Sequence, residues 1–436
     1  MRPEFLSPHP PVHDPKLVRE LFHDRETEIA HVVKYLDSRN DHRGILAIYG
    51  ETRAGKSHLA LRAAQELPYG KRGYFHLYVN ANQRITTKTV LWNAFDQLSN
   101  AVLSLEGNDP LIALARQWIA EIDEFHRSNV PSVTIRTQRD QAEEAGKSVK
   151  VKGEGSIGST ILGFIKAKVG FGIERERSVS GRQSQEEEIT ITLSPPSEDH
   201  LAEIIGFLGS VLVQLRCCQR VLLLVDDVDL LSSATDTPKS EADILIDALR
   251  KIASLEAFTV VATAREDFYG RKGKDFRNLC FVRRFPEEKA ILEIYHTHVD
   301  KLNSGISPYT PEAASYLAGA SGGLIGSFFD ECERMRQYFT GVGAEWALDR
   351  VVDFYLSEAL RLAGAELRPV ISAIEAAAKI GRATLGSDIF DQLGISADAI
   401  KSSPLIGRVL NPPRYQDFFE VNPFTFGAFK KGGYQQ

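Results

Sequence analysis

The chain has 436 residues, 43% of them hydrophobic and 25% charged, with a formal net charge of −6. These values belong to a soluble globular protein with room for two or three domains, and they exclude a uniformly basic nucleic-acid coat while leaving a local basic patch open. The opening "MRPEFLSPHPPVHDPKL" has no basic head followed by an apolar stretch, and the longest uncharged segments are too short or too broken to span a bilayer. A cytoplasmic protein without a membrane partner is expected. Four cysteines, Cys217, Cys218, Cys280 and Cys332, form neither a CxxC pair nor a zinc spacing. They are expected to be buried thiols in a reducing compartment, with the vicinal pair inside an apolar, helix-like run.

In chain order, residues 1–15 are rich in proline and histidine and read as a flexible or draped arm. A nucleotide core is expected over 16–285. Its first strand, Ile45–Tyr49, runs into Gly50-Glu51-Thr52-Arg53-Ala54-Gly55-Lys56-Ser57 and then the helix-forming "SHLALRAAQEL", His58 included. This is G-x-x-x-x-G-K-[ST] between a strand and a helix, the setting in which the pattern means a phosphate-binding loop. The glycines let backbone N–H groups curl round an anion, and the helix points its positive end at it. Lys56 would reach the β- and γ-phosphates of ATP, and the Ser57 hydroxyl would ligate Mg²⁺.

Further strands are predicted at Tyr74–Val79, Val221–Val225, Thr259–Thr263 and Leu279–Arg283, with helices at Thr89–Leu103 and Ala242–Ser254. The alternation implies an α/β fold: a parallel sheet of the P-loop NTPase kind with helices on both faces. "RVLLLVDDVDLL" reads as a strand buried on both faces and ending in two acids. Asp226 would hold Mg²⁺ through its water shell, and Asp227 would orient or deprotonate the attacking water. "FTVVATARED" places Thr263 and Arg265 at another strand end. Thr263 would bond the γ-phosphate or the water. Arg265 either senses γ-phosphate charge or pairs with a surface acid.

Residues 130–195 form an insertion whose alternating runs, "FIKAKVGFGIERE" and "EITITL", read as a hairpin or small added sheet. Its lysines Lys147, Lys150, Lys152, Lys166 and Lys168 belong either to a solvated surface or to an arm contacting nucleic acid or a partner protein. A helical lid is expected over 286–362 and a small α/β or winged-helix-like domain over 363–436. The latter contains the helix-like "RPVISAIEAAAKIG" and then short runs ending "RYQDFFEVNPFTFGAF".

On these residues the chain resembles AAA+-related ATPases, in particular their STAND branch and origin-recognition-type members. "LFHDRETEIAHVVKYL" is similar to the hhGRExE box, keeping Arg25-Glu26-x-Glu28 but with Asp24 where glycine is usual. The resemblance implies that Arg25 and its neighbours pack beside the adenine and ribose. Thr263-Ala264-Arg265 resembles the T-x-R sensor. Gly322-Gly323-Leu324-Ile325-Gly326 resembles the start of the lid helix, with Gly326 where an arginine is usual, so a lid arginine is missing there. Gly322 and Gly323 are equally accounted for as caps of a helix.

The resemblance implies an ATP-driven, Mg²⁺-dependent switch assembling with copies of itself or with partners. Two alternatives stand beside it: a DNA-binding initiator or loader, and a nucleotide-bound scaffold that hydrolyses little. A winged helix needs a basic recognition helix, and "SADAIKSSPLIGRVL" offers Lys401 and Arg408 only. Arg271 and Arg277, just before the last core strand, are candidates for an arginine offered to a neighbouring subunit, or else solvated helix charges.

Overall fold

The structure is a computed structural model and describes residues 14–22, 25–37, 44–81, 86–128, 132–138, 173–178, 186–193, 197–231, 240–276, 278–338, 346–363, 367–381, 383–386, 392, 394, 403–408 and 418–432. The chain divides into two compact units. One comprises His31–Tyr49 and Glu66–Cys280, the other Met1–Ala30, Gly50–Gln65 and Phe281–Gln436.

The first unit is built on a sheet of β1 (Ile45–Gly50), β2 (Tyr74–Asn80), β6 (Arg220–Asp226), β7 (Phe258–Arg265) and β8 (Asn278–Val282), in the order β2-β6-β7-β1-β8. The β2–β6 and β6–β7 ladders are parallel. Tyr74 pairs with Arg220 at one end of the first, and Asn80 with Asp226 at the other. Consecutive residues on β1, from Ile45 to Ile48, are all buried, and so is every residue of β6 from Val221 to Asp226. Neighbouring residues of a strand face opposite ways, so the sheet is covered on both faces, as apolar parallel strands require. All five expected strands are present, within two residues of their predicted ends.

The helices around this sheet start where side chains can satisfy their free N–H groups. Thr86 caps helix Thr87–Leu103, Ser197 caps Glu198–Gln214, and Ser240 with Asp243 forms a capping box on Glu241–Ala253. The N–H of Thr87 also donates to the Glu241 carboxylate at 2.9 Å, and the Thr87 hydroxyl donates to the Glu241 carbonyl at 2.7 Å. Two helix starts distant in sequence are thereby tied together.

Within 130–195, β3 (Ser132–Gln138), β4 (Ile173–Ser178) and β5 (Glu186–Leu193) form an antiparallel sheet in the order β3-β5-β4, matching the small added sheet read from the alternation. The five insertion lysines lie outside the described residues. One expectation is corrected. The vicinal cysteines are not in a helix, because the helix ends at Gln214 and Arg216 turns left-handed (φ 57), so Cys217 and Cys218 sit in the bend before β6. Cys218, Cys280 and Cys332 are buried, while Cys217 is half-buried.

In the second unit, helices Glu288–Leu302, Pro311–Ala320, Ile325–Tyr338 and Leu348–Ala363 occupy the stretch expected to be a lid. They close over Tyr295, Tyr309, Phe328, Met335 and Tyr355, joined by Leu17 and Leu21 of the short helix Pro15–Glu20. A smaller core, with Val370, Ile374, Leu405, Val421 and Phe429, lies under helix Leu367–Ile380 and an antiparallel sheet. That sheet is β9 (Thr384–Gly386), β10 (Ile406–Arg408) and β11 (Phe418–Val421), in the order β10-β11-β9. The final "PFTFGAFKKG" is a helix, Pro423–Gly432, rather than short irregular runs. The Asn422 side chain accepts from the N–H groups of Phe424 and Thr425 and so starts it.

Candidate functional site

The residues expected to bind nucleotide fall in both units, and each share has its own construction. In the second unit, Gly50–Ser57 leaves the end of β1 and enters helix Lys56–Glu66. Gly50 permits no side chain, since a Cβ there would lie 2.3 Å from the Val282 carbonyl oxygen. Gly55 (φ 94) and Arg53 (φ 68) take left-handed backbone, which curls the loop. The Lys56 side chain, only 6% exposed, donates to the Glu51 carbonyl at 2.8 Å. A curled backbone with a buried ammonium, opening a helix, fits a phosphate group. Ser57 stands one residue later, at the helix start, and Thr52 lies on the turn.

Arg25 braces this loop. It is buried, and one guanidinium nitrogen donates to the Ala54 and Arg283 carbonyls, each at 2.8 Å, while the group stacks over Phe285 at 4.3 Å. His58 is engaged likewise, 3.0 Å from the Val18 carbonyl and edge-on to Phe22. Both hold the loop's surroundings in place. His23 and Asp24 of the same box lie outside the described residues.

The loop is also bound to the helical part. The Gly326 N–H donates to the Arg53 carbonyl at 2.9 Å, and the Arg53 guanidinium pairs with Asp330. A Cβ on Gly326 would lie 2.7 Å from the Arg53 Cβ, so the helix start and the loop lie too close together for a side chain at that position. Arg284 makes a two-pronged pair with Glu51 (2.7 and 2.8 Å from its Nε) and approaches the Gly322 carbonyl at 3.4 Å. The Glu51 carboxylate raises the Arg284 pKa above its ordinary value.

The first unit carries the strand-end acids. Asp226, 3% exposed, has both carboxylate oxygens engaged: Tyr78 Oη donates to Oδ2 at 2.7 Å and the Thr263 hydroxyl donates to Oδ1. Thr263 Oγ1 in turn accepts from the Asp227 N–H at 2.8 Å. Asp227 itself is left-handed (φ 56, ψ 43), a conformation aspartate tolerates better than most residues, and it turns the chain into Val228–Leu230. Arg265 pairs with Asp229, whose carboxylate also accepts from the Arg265 N–H at 3.1 Å. Of the two readings of Arg265, the pair with an acid is the one seen, and that acid is almost fully buried. A carboxylate such as Asp226, oriented by neutral donors at a strand end, fits a hydrated Mg²⁺.

Tyr78, Asp229, Arg284 and Asp330 were not singled out from sequence. Asp229 had a local signal, two residues after Asp227 in "DDVDLL". Tyr78 had none, since its meeting with Asp226 depends on strand register. Arg271 is exposed and pairs with Asp267 at 3.9 Å, while Arg277 lies outside the described residues. Among the described residues no cluster of three His, Cys, Asp or Glu side chains forms a metal site, and no helix is long and apolar enough to cross a membrane.

No protein-family model matches the chain, and no curated protein does. Among solved structures it is similar to PCH-2 of C. elegans, at 12% identity and a TM-score of 0.31, over 76% of this chain and 68% of that one. It is also similar to two single-substitution variants of Thermotoga maritima RuvB. The first has 19% identity and a TM-score of 0.27 over 55% of this chain and 84% of that one. The second has 20% identity and a TM-score of 0.27 over 55% and 85%. With a G-x-x-x-x-G-K-S loop leaving β1 of a five-stranded sheet whose β2–β6 and β6–β7 ladders are parallel, the chain has an α/β fold of the P-loop kind.

Proposed function

We propose that the protein is a STAND-like molecular switch that binds and hydrolyses ATP with Mg²⁺ in the cytoplasm, its nucleotide state controlling assembly with itself or a partner. Gly50–Ser57 would hold the phosphates, Lys56 would neutralise them, and Ser57 with Asp226 would hold the metal. Bound Mg²⁺ would supply charge neutralisation at the β- and γ-oxygens. Asp227 would orient or deprotonate the attacking water. Thr263 and Arg265 would stand by as groups that respond to the γ-phosphate, each first exchanging a partner it holds here. The observation that carries the reading is the buried Lys56 ammonium inside a curled loop at a helix start.

The switch is supported by the ties from the loop to helix Ile325–Tyr338. A loop that adjusts to phosphate must remake the Arg53–Asp330 pair and the Gly326 hydrogen bond, so that helix responds. Arg271, and Arg277 beyond it, would serve a neighbouring subunit. Sedimentation of Asp227→Asn with saturating ATP tests this: a monomer at every concentration leaves a switch that acts alone.

A second reading, a DNA-binding initiator or loader, draws support from the β10-β11-β9 sheet following helix Leu367–Ile380, an arrangement compatible with a winged helix. Lys401 lies outside the described residues, and Arg408 stands on β10. Calorimetric titration with Mg·ATP, followed by turnover with and without duplex DNA, single-stranded DNA and RNA, separates the readings. Saturable binding with turnover indifferent to nucleic acid is expected. Absence of binding overturns the ATP reading, and strong stimulation by duplex DNA favours the initiator. Tight binding without turnover leaves a scaffold.

A further inference from the structure

Tyr78 stands on β2, two residues before the strand end, and its parallel partner on β6 is Leu224. Residues two apart on a strand share a face, so Tyr78 lies on the same side as Asn80, and Leu224 on the same side as Asp226. A long side chain at position 78 therefore reaches diagonally to position 226. Its backbone is fixed as well: the Gln97 amide donates to the Tyr78 carbonyl at 2.9 Å and its oxygen accepts from the Tyr78 N–H at 3.4 Å. A tyrosine phenol carries its proton near neutral pH, and here that hydroxyl donates to Asp226 Oδ2 at 2.7 Å.

Thr263 has a single hydroxyl proton, and in this structure that proton points at Asp226. Were Thr263 the sole donor to Asp226, turning its proton toward a phosphate or a water would release the acid from its orientation. The second donor removes that conflict. We infer that Tyr78 is a positioning residue for the metal-holding carboxylate: its phenol fixes the rotamer of Asp226 while Thr263 is free to turn its proton to the nucleotide. The inference rests on the reading of Asp226 as the metal anchor.

The test is the affinity of Mn²⁺, read by its EPR signal, for the full-length protein bound to a non-hydrolysable ATP analogue, in wild type and Tyr78→Phe. Affinity of the analogue without metal is measured alongside. Partners that orient a metal ligand are typically worth about ten- to a hundredfold in metal affinity. A drop of about tenfold in Mn²⁺ affinity, with metal-free analogue affinity unchanged, is expected. Thr263→Val in the Tyr78→Phe background should lower Mn²⁺ affinity further than either change alone. Equal Mn²⁺ affinity in wild type and Tyr78→Phe overturns the role of Tyr78. So does a parallel loss of metal-free analogue affinity, which would make Tyr78 a general support of the fold. If wild type itself binds no Mn²⁺ in the presence of the analogue, the anchor reading of Asp226 fails, and this inference fails with it.

Discussion

Arg53 and Arg284 fasten the phosphate loop through half-exposed ion pairs, whereas Asp226 is held away from water by two neutral hydroxyls. The Arg53 and Arg284 side chains are 51% and 49% exposed, and their acids, Asp330 and Glu51, are 22% and 38% exposed. Pairs of that kind contribute about 0–1 kcal/mol and weaken in salt. A buried hydrogen bond to a charged group contributes about 1.5–3 kcal/mol, and losing one leaves the charge unsatisfied. The loop is therefore fastened by contacts that an incoming polyanion can replace, whereas Asp226 keeps the Tyr78 hydroxyl even when Thr263 turns away. Movement belongs to the loop and the helix it touches; fixed geometry belongs to the acids.

The difference can be broken most severely at Lys56. Removing a buried charge that faces phosphate costs about 2–5 kcal/mol, so Lys56→Ala is expected to weaken ATP binding by about a thousandfold, near the upper part of that range. Calorimetry checks it, and unchanged affinity removes the loop from the site. Next in size is Asp227→Asn, which should keep ATP bound yet slow turnover by about a hundredfold. Single-turnover assays decide, and normal turnover in both this variant and Asp226→Asn would take the strand end out of the mechanism.

Gly326→Ala sharpens the comparison from the loop side. Its methyl group would press on Arg53, and overpacking of this kind costs about 1–3 kcal/mol. A lowered melting temperature is expected. A melt identical to wild type would show that the Gly326–Arg53 contact is not tight. Smallest is Arg284→Ala, expected to change stability by about 1 kcal/mol or less, with the difference vanishing in about 0.5 M salt. A larger, salt-independent loss would mean that Arg284 is as permanent a support as Tyr78.

Much of this was legible beforehand because it is local. The five sheet strands are short apolar runs with punctuation at their ends, and the loop's glycines and lysine carry their own spacing. Asp226, Asp227 and Thr263 follow, as strand-end residues. The partners of these residues were not legible. Tyr78 reaches Asp226 only through the β2–β6 register, and Asp330 reaches Arg53 only because Gly326 lets the backbones meet. Arg265 was open between two readings because an arginine after a strand is equally suited to a phosphate and to an acid. The short β9, β10 and β11 and the last helix were obscure for a different reason. Strands of three or four residues are too brief to show a period, and the "FTFGAF" run mixes phenylalanine with glycine, which signals neither helix nor strand.

The pairing of Tyr74 with Arg220 also sets a timetable for synthesis. At about 5–20 residues per second, β2 leaves the ribosome on the order of ten seconds before β6 does. For that interval a strand carrying Leu77 and Val79, each buried in the finished sheet, has no parallel neighbour. The added sheet of β3, β4 and β5 emerges within the same interval, from strands that pair with one another and not with β2. Exposed apolar surface and an unpaired strand edge of this kind favour aggregation until the partner strand arrives. Helix Thr87–Leu103, which packs beside β2, emerges well before β6 and is the first element that can cover part of that strand's apolar face.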